Sequence, residues 1–437
     1  MDIFGILGCL AAFVLMIVLV FKNFSPFVAS MISAIFAMAV TGTNMTSALT
    51  EVFFPKVASF ISGYYGIFLF GAILAKIYTD SGAAVSIANG ISHLLLKENT
   101  SENKKQLIGL TIVMMMTGIL GLGGIITSVA VIIAYPLALA VMDKCGIPKR
   151  FSFAALALGA YTWVCVMPFT PQVPNLVPMT YLGTTQSAGT VPGLVGAAIW
   201  AVGGITVLNF LVSKAKKNGE VFAYGATDVI YDESAETPKA LIALIPLVLL
   251  FVLFNVVNLN INLCLLITCV AAIVVLWKYL KKDVMKTVNT GAVNSLAPMM
   301  TVGAIVGFAN VVTGTEAFQG LVDLVFNLPV SPIILVLVFC GVIAMLTGGS
   351  ATGFAVSLPL LIPVLVTEMG VDPEIIHRLG AFSGTAWSLL PSSGTVLMFL
   401  PLSGLKLKDI YMPLFWVSFV IGTVSTVIVA VLFAMGL

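Results

Sequence analysis

Charged side chains are scarce in this chain of 437 residues, where they make up 9% of the sequence while hydrophobic residues make up 60%. A soluble globule of this size could not bury so much apolar surface. The formal net charge is only +2, and the basic residues are scattered in short clusters. The composition therefore excludes an ordinary soluble domain and gives no indication of a nucleic-acid-binding surface.

The chain also lacks the patterns that usually carry metal or catalytic chemistry. Its six cysteines form no CxxC pair, and its two histidines, His93 and His377, have no neighbouring cluster of cysteines or carboxylates. We expect reduced, packed thiols and interfacial histidines. The sequence contains no GxSxG, HExxH or phosphate-binding loop. It predicts neither an enzyme nor an organic cofactor.

Long apolar runs recur along the whole chain. A helix needs about 20 apolar residues to cross a bilayer, and the sequence offers several runs of that order. The runs are residues 3–21, 60–79, 190–212, 239–257, 261–279, 292–313 and 411–437. The first run lacks the basic flank of a signal peptide, so we interpret it as a mature helix. The chain is predicted to be an all-α, multi-pass protein of the inner (cytoplasmic) cell membrane.

The two halves of the chain are related to each other in sequence. Residues 70–73 (FGAI) match residues 302–305 (VGAI), and the pair Gly123-Gly124 matches Gly348-Gly349 in the same order and at similar spacing. These matches predict a first repeat over residues 1–212 and a second over 239–437. The hydrophilic stretch 213–238 between them is interpreted as a solvated linker without chemistry.

The distribution of lysines indicates that the two repeats are inverted. Positive loops collect on the cytoplasmic side, and three loops of the first repeat, within 97–105, 144–150 and 214–217, are basic. Their counterparts in the second repeat carry less positive charge. Inverted repeats with a substrate bound at their interface recur among secondary transporters.

One pair of segments is predicted to form re-entrant helical hairpins, over residues 106–143 and 332–368. Both are apolar on either side of glycines, which permit a tight turn and close backbone approach. The second arm of each hairpin would begin near Thr127, Ser128 or Thr352. A free helix N-terminus there carries unpaired N–H groups and the positive end of a dipole, which suits an anion. The alternative is two simple helices with an external loop.

A second pair of segments is predicted to be unwound, over residues 168–175 (PFTPQVPN) and 391–395 (PSSGT). Proline interrupts a helix, and irregular backbone at membrane depth is tolerated only under protein or a water-filled cavity. Arg150 and Arg378, the two arginines, are expected in loops, so helix termini and hydroxyls would bind the anion. The predicted substrate-binding residues are Gly123, Gly124, Thr127, Ser128, Thr170, Gln172, Asn175, Gly348, Gly349, Ser350, Thr352, Ser383, Thr385, Ser392, Ser393 and Thr395.

With these motifs in view, the chain resembles the gluconate permease family of the wider ion transporter superfamily. Residues 349–352 (GSAT), followed by Pro359 and Pro363, are similar to a GSAT-containing segment of that family. Residues 167–174 resemble its proline-rich break, and residues 405–409 resemble the segment before its last helix. The resemblance implies a two-repeat fold with paired hairpins that transports gluconate-like hydroxy acids or related carboxylates, usually with a cation.

The chain departs from the family at two places. Residues 391–395 lack the acid and the amide of the family's NDSGF-like string, and Thr170 or Gln172 stands about where a histidine is usual. Both changes favour a smaller or less hydroxylated carboxylate than gluconate.

The sequence thus predicts a cation-coupled symporter of a small organic anion with an elevator-like mechanism. A passive channel or facilitator for small anions is the alternative. The expected partners are the anion and the lipid bilayer, with H⁺ and Na⁺ both open as the coupling ion and a homodimer as an open assembly. A bound metal and a nucleic acid are not expected.

Overall fold

The computed structural model describes residues 3–22, 24–95, 101–125, 127–225, 228, 236–280, 283–320, 330–347, 349–389 and 393–437. Within these ranges every regular element is a helix. Five helices are long and apolar enough to cross a bilayer, and further apolar helices of 10–17 residues accompany them. The fold is therefore that of an all-α polytopic membrane protein, as the sequence predicted.

The described residues form nine helices before the linker and nine after it. The first set is α1 (Ile3–Phe21), α2 (Pro26–Thr41), α3 (Met45–Asp80), α4 (Ala83–Leu95), α5 (Glu102–Leu122), α6 (Thr127–Lys144), α7 (149–166), α8 (Val173–Leu182) and α9 (Thr190–Lys217). The second set is α10 (Ala240–Asn255), α11 (Ile261–Val275), α12 (Val284–Thr313), α13 (described over 316–320), α14 (Pro332–Thr347), α15 (350–368), α16 (Pro373–Ser388), α17 (Gly394–Ser403) and α18 (Leu407–Ala434).

Local sequence signals set the ends of several helices. Ser25 accepts a hydrogen bond from the Val28 N–H at the start of α2, where Pro26 is the first helical residue, and Gly42 ends the helix with a φ of 67°. Asp372 caps α16 in the same way by accepting from the Glu374 N–H. Side-chain caps, proline at the first position and glycine after the last turn are the usual boundaries of a helix.

Helices of each set pack against helices of the other set, and equivalent helices do so in both directions. Helix α2 packs against α12 of the second set, and its counterpart α11 packs against α3 of the first. Helices α9 and α18, the last of each set, pack against each other, and the Trp200 indole N–H donates to the Val417 carbonyl over 3.0 Å. Each set therefore completes part of the other's core.

A tryptophan seated on a glycine joins each hairpin to the helix that follows it. A methyl group placed on Gly118 of α5 would lie 2.7 Å from a ring carbon of Trp163, and one on Gly341 of α14 would lie 2.8 Å from a ring carbon of Trp387. Glycine is needed at both positions because the indole occupies the space of a side chain. The recurrence supports the alignment of the two halves.

The linker is anchored at several points, so it is not solvated throughout as the sequence predicted. Helix α9 runs through Lys217, past the predicted end of the first repeat at residue 212. Beyond it, the fully buried Asp228 carboxylate lies 2.7 Å from the Lys149 ammonium. It also accepts a hydrogen bond from the Tyr135 hydroxyl over 3.0 Å, while Lys149 donates to the Ser403 carbonyl over 2.8 Å. The linker thus joins α6, α7 and α17.

Replacing Asp228 with alanine should destabilise the protein by about 3–5 kcal/mol, because the buried Lys149 charge loses its partner. Glu236→Gln is the matched control: Glu236 also ties the linker to a lysine, Lys278, but both side chains are 74% exposed. Thermal unfolding in detergent should show a lowered midpoint for the first variant only. Equal midpoints would mean that Asp228 does not anchor the linker.

Gly159 of α7 should be intolerant of even a methyl group. A Cβ there would overlap the Met114 carbonyl oxygen of α5, which is backbone and cannot rotate away. We expect Gly159→Ala to cost about 1–3 kcal/mol of unfolding free energy through overpacking. Gly63→Ala, a helical position with no atom within 4 Å of the added carbon, should be neutral or slightly stabilising. Unfolding midpoints of the two variants give the comparison.

Candidate substrate site

The tip of the first hairpin lies against the middle of a neighbouring helix. Between α5 and α6 the chain turns at Gly123 and Gly124, and Gly124 has a φ of 78° that glycine adopts without strain. Methyl groups placed on these glycines would meet Leu247 and Leu250 of α10, respectively. Helix α10 has 16 residues and is about 24 Å long. The tip therefore lies level with the centre of α10.

The first unwound break covers residues 167–172, whereas residues 173–175 of the predicted segment 168–175 are helical. Helix α7 ends at Val166, Met167 is extended, and α8 begins at Val173. Phe169 has a positive φ of 65°, and its N–H donates to the Gln186 carbonyl in the loop that follows α8. The interrupted backbone is thus paired with protein, which satisfies the requirement on irregular chain at membrane depth.

The second break is described only at its edges. Helix α16 ends at Ser388 and α17 begins at Gly394, with Ser393 extended before it. The helix is interrupted at the predicted place in this half too.

The first hairpin tip is fastened to the first break by one side chain. The Gln172 amide donates to the Gly121 carbonyl over 2.5 Å and to the Ile125 carbonyl over 3.3 Å. These carbonyls end α5 and follow the tip, where helical partners are missing. A methyl group on Gly124 would also come within 3.5 Å of Pro171. Tip and break therefore form one unit.

Thr170 and Asn175 form hydrogen bonds within the first break. The Thr170 hydroxyl donates to the Met167 carbonyl over 3.0 Å, and the Asn175 amide donates to the Thr170 hydroxyl and to the same carbonyl. Thr170 and Asn175 are buried, as is Gln172. In this conformation the polar side chains of the first break are covered and bonded to protein, so substrate could reach them only after a rearrangement.

The second hairpin meets its own half in a related way. Ser350 is the first residue of α15, and its Cβ would lie 3.8 Å from a methyl group on Gly384 of α16. Gly349 precedes it with a φ of −166°, an extended conformation that any residue adopts. A conformational need for glycine therefore holds at Gly124 and does not extend to Gly349.

The remaining predicted site residues divide into three groups. On α16, the Ser383 hydroxyl donates to the Gly380 carbonyl, whereas the buried Thr385 hydroxyl has no partner among the described residues. Ser393 is buried, while Thr127 and Thr395 are partly exposed near the starts of α6 and α17. Gly348 and Ser392 are not among the described residues, and the side chains of Ser128 and Thr352 are not described either.

The helix that follows each break crosses to the hairpin of the other half. Helix α8 packs against α15, the second arm of the second hairpin, and α17 packs against α6 of the first. Each break is therefore bounded by its own hairpin before it and by the opposite hairpin after it. This exchange places both hairpins and both breaks in one packed group.

Arg378 was expected in a loop, and this expectation was wrong. It lies in the second turn of α16, is 0% exposed, and reaches across to the first break. Its guanidinium donates to the Val166 carbonyl over 2.6 Å, to the Asn175 side-chain oxygen over 2.7 Å, and twice to the Ala188 carbonyl. Arg378 thus joins the end of α7, the start of α8 and the loop before α9.

His377 is likewise buried rather than interfacial, so that expectation also fails for this residue. Its Nδ1 lies 2.7 Å from the Thr184 hydroxyl, while its Nε2 is buried without a partner among the described residues. The side chain of His93, the other histidine, lies outside the description.

A sequence signal for both residues was present. Asp372, Pro373 and Glu374 have the order of an N-cap, a first-position proline and an acidic first turn. A helix that begins there carries His377 and Arg378 in its second turn. The glycines that make room for the arginine, Gly189 and Gly193 of the first half, could be matched to it only in three dimensions.

Comparisons with known proteins agree with this architecture. The chain is 24% identical to the uncharacterized transporter YxjC of Bacillus subtilis (strain 168), over 95% of this chain and 96% of that protein. Its fold is similar to that of the YdaH transporter of Alcanivorax borkumensis, with a TM-score of 0.56, 14% identity and 88% of each chain covered. No family model matches, so the resemblance to gluconate permeases stays a prediction. The first similarity supports a membrane transporter, and the second concerns the fold alone.

Replacing Gln172 with glutamate should loosen the first hairpin tip, because a carboxylate would face the Gly121 and Ile125 carbonyls. Leaving these acceptors unpaired should cost about 1–3 kcal/mol, with faster amide exchange at the tip by hydrogen-exchange mass spectrometry. Gln186→Glu is the control, since its amide donates to Asn258 at an exposed site. If both variants exchanged like the wild type, Gln172 would not hold the tip.

Proposed function

We propose that this protein is a secondary active transporter of a small organic anion, working as a cation-coupled symporter with an elevator-like movement. The observation that carries the proposal is the closed unit of hairpin tip and unwound break, fastened by Gln172 and covered by a helix of the other half. Such interruptions surround substrate sites in transporters built from inverted repeats. The similarity to two transporters supports the same class.

The helix packing suggests which parts would move. Helix α2 packs with α1 and α12, α3 packs with α11 and α12, and α10 packs with α11. In the proposed mechanism these form a scaffold, and the hairpins with their breaks form the mobile unit. The first break is closed in this conformation, so alternating access requires the mobile unit to shift before the break opens to either side. Substrate then needs only different affinities for the two states.

The proposal leaves H⁺ and Na⁺ as candidate coupling ions. Two carboxylates in or beside the apolar runs could relay a proton. One of them, Asp80, lies 2.6 Å from the Lys76 ammonium and accepts from the Thr287 hydroxyl over 2.7 Å. The other, Glu316, is exposed. These contacts support a structural role for Asp80. Uptake driven separately by a Na⁺ gradient and by a pH gradient would identify the coupling ion.

The expected substrate is a hydroxy carboxylate or gluconate-like acid, on the smaller side of that class. The first break offers a hydroxyl and two amides, at Thr170, Gln172 and Asn175, which suit the carboxylate and hydroxyl oxygens of such an acid. The resemblance to gluconate permeases points to the same class, whereas the missing acid and amide in residues 391–395 favour fewer hydroxyl contacts.

Purified protein in proteoliposomes tests the function directly. Radiolabelled D-gluconate, L-lactate and butyrate should be accumulated against their gradients when a cation gradient is applied, and at least one should show counterflow. A channel cannot concentrate its substrate. Downhill flux that saturates poorly and never exceeds equilibrium would therefore favour the passive alternative and refute the proposed symport.

Gly124→Ala should abolish this accumulation while leaving membrane insertion intact. The positive φ disfavours a side chain by about 1–2 kcal/mol, and the added carbon would collide with Leu250. Gly42→Ala is the matched control, because Gly42 has a φ of 67° with no atom within 4 Å of the added carbon. Both variants carry similar backbone strain, so loss of transport in Gly124→Ala alone would locate the effect at the hairpin tip. Equal transport by both would contradict this role of the tip.

A further inference from the structure

The Arg378 charge is buried, and no carboxylate among the described residues forms a hydrogen bond with it. All four of its hydrogen bonds end on neutral oxygens, at Ala188, Val166 and Asn175. Glu374, one turn earlier, is the carboxylate whose charge acts on it, but the Glu374 side chain accepts its hydrogen bond from the Gly189 N–H over 2.9 Å. Burying a cation in this way is costly unless an anion compensates it.

Few other charges surround this position. The helices packed against α16 include α7, α8, α14, α15 and α18. Their titratable groups in the segments packed against α16 are tyrosines and cysteines, namely Tyr161, Cys165, Tyr181 and Cys340. The neighbouring His377 is buried, and protonating it would add a second positive charge. The Arg378 guanidinium is therefore a positive charge in apolar surroundings, where charges act over longer range than in water.

Two glycines leave the space that the Arg378 side chain occupies. Methyl groups on Gly189 and Gly193 would lie 2.9 Å and 3.0 Å from carbons of the Arg378 stem, and Gly193 also faces Pro168 of the break. Two glycines at the start of α9 thus let the arginine pass between the loop and the break. The same guanidinium holds the Val166 carbonyl at the end of α7 and Asn175 at the start of α8, so it spans the break from both sides.

We propose that Arg378 is the counter-charge of the transported anion and the residue that positions the first break. The carboxylate group of the substrate binds at the break beside Arg378 and Asn175, and the guanidinium keeps the two broken helix ends at a fixed separation. This inference rests on the proposed function, because it assigns the anion selectivity of the same site. It replaces the expectation that helix termini and hydroxyls alone neutralise the carboxylate.

Ligand pairs that differ only in charge separate this role from a purely structural one. Binding of L-lactate and lactamide, and of D-gluconate and gluconamide, is measured as the rise in unfolding temperature of the purified protein. The wild type should prefer the carboxylate of at least one pair. Arg378→Gln should weaken carboxylate binding by roughly 30-fold or more beyond any loss of amide binding that follows from a loosened break. A structural defect would weaken both members of the pair alike.

Two further variants make the test robust. Arg378→Lys retains the charge without the forked hydrogen bonds, so it should keep the preference for carboxylate at reduced affinity. Arg150→Gln is the control, since that arginine forms a partly exposed ion pair with Glu220, and its preference should equal that of the wild type.

If Arg378→Gln fails to fold, Asn175→Asp decides the question. This change places a carboxylate on Arg378 and neutralises it from within the protein, so the preference for carboxylate should disappear although the arginine stays in place. A preserved preference in this variant, or in Arg378→Gln, would overturn the proposal. So would the absence of carboxylate binding to the wild type.

The positioning role has its own readout, which needs no substrate. In a background with the native cysteines replaced, a cysteine at the buried position of Thr170 should react slowly with a membrane-impermeant maleimide. Arg378→Gln should accelerate the reaction and Arg378→Lys should largely restore it. Unchanged reactivity would refute positioning. If the protein bound carboxylates in an Arg378-dependent way but did not transport them uphill, the proposed function would be refuted, whereas the role of Arg378 as counter-charge would be retained.

Discussion

The structure depends on one constraint: backbone that leaves a helix inside an apolar layer must find its hydrogen bonds within the protein. The first break meets this constraint by several means. Phe169 bonds to the loop after α8, Asn175 bonds to Met167, and Arg378 bonds to Val166 from the other half. Removing Arg378 would take a hydrogen-bond donor from the Val166 carbonyl at the edge of the break. The interruption of the helix and the contact between the halves are therefore parts of one arrangement.

Most of the fold could be predicted from the sequence because it follows from apolar periodicity and helix-breaking residues. The hairpin over 106–143 appears as α5 and α6, and the proline-rich segment separates α7 from α8. Repetition in the sequence located the equivalent elements of the second half. What the sequence could not supply was the partner of each element. That α8 packs against α15 and α17 against α6 depends on packing between residues far apart in the chain.

The site was predicted less completely, for a reason visible in Arg378. A lone arginine between an acidic turn and an apolar segment is usually a loop residue, and this one was assigned accordingly. The helix signal at Asp372 and Pro373 predicted a helix instead. The buried guanidinium donates its hydrogen bonds to oxygens of residues 166, 175 and 188, and no local sequence pattern reveals these partners. The linker shows the same limit, since Asp228 finds Lys149 only in three dimensions.

The exchange of α8 and α17 between the hairpins has a consequence for the order in which the chain can fold. Synthesis proceeds from the N-terminus, and domains commonly fold as they emerge. Here the first hairpin is complete at residue 144, but the helix that packs against α6 begins only at residue 394. Until that helix is inserted, the surface it will cover faces lipid or the insertion machinery. Lys149 similarly meets Asp228 early and the Ser403 carbonyl much later. The early half must therefore wait in an incomplete form, held first by the contacts of α5 with α7 and α9 and of α6 with α7, and then by the linker.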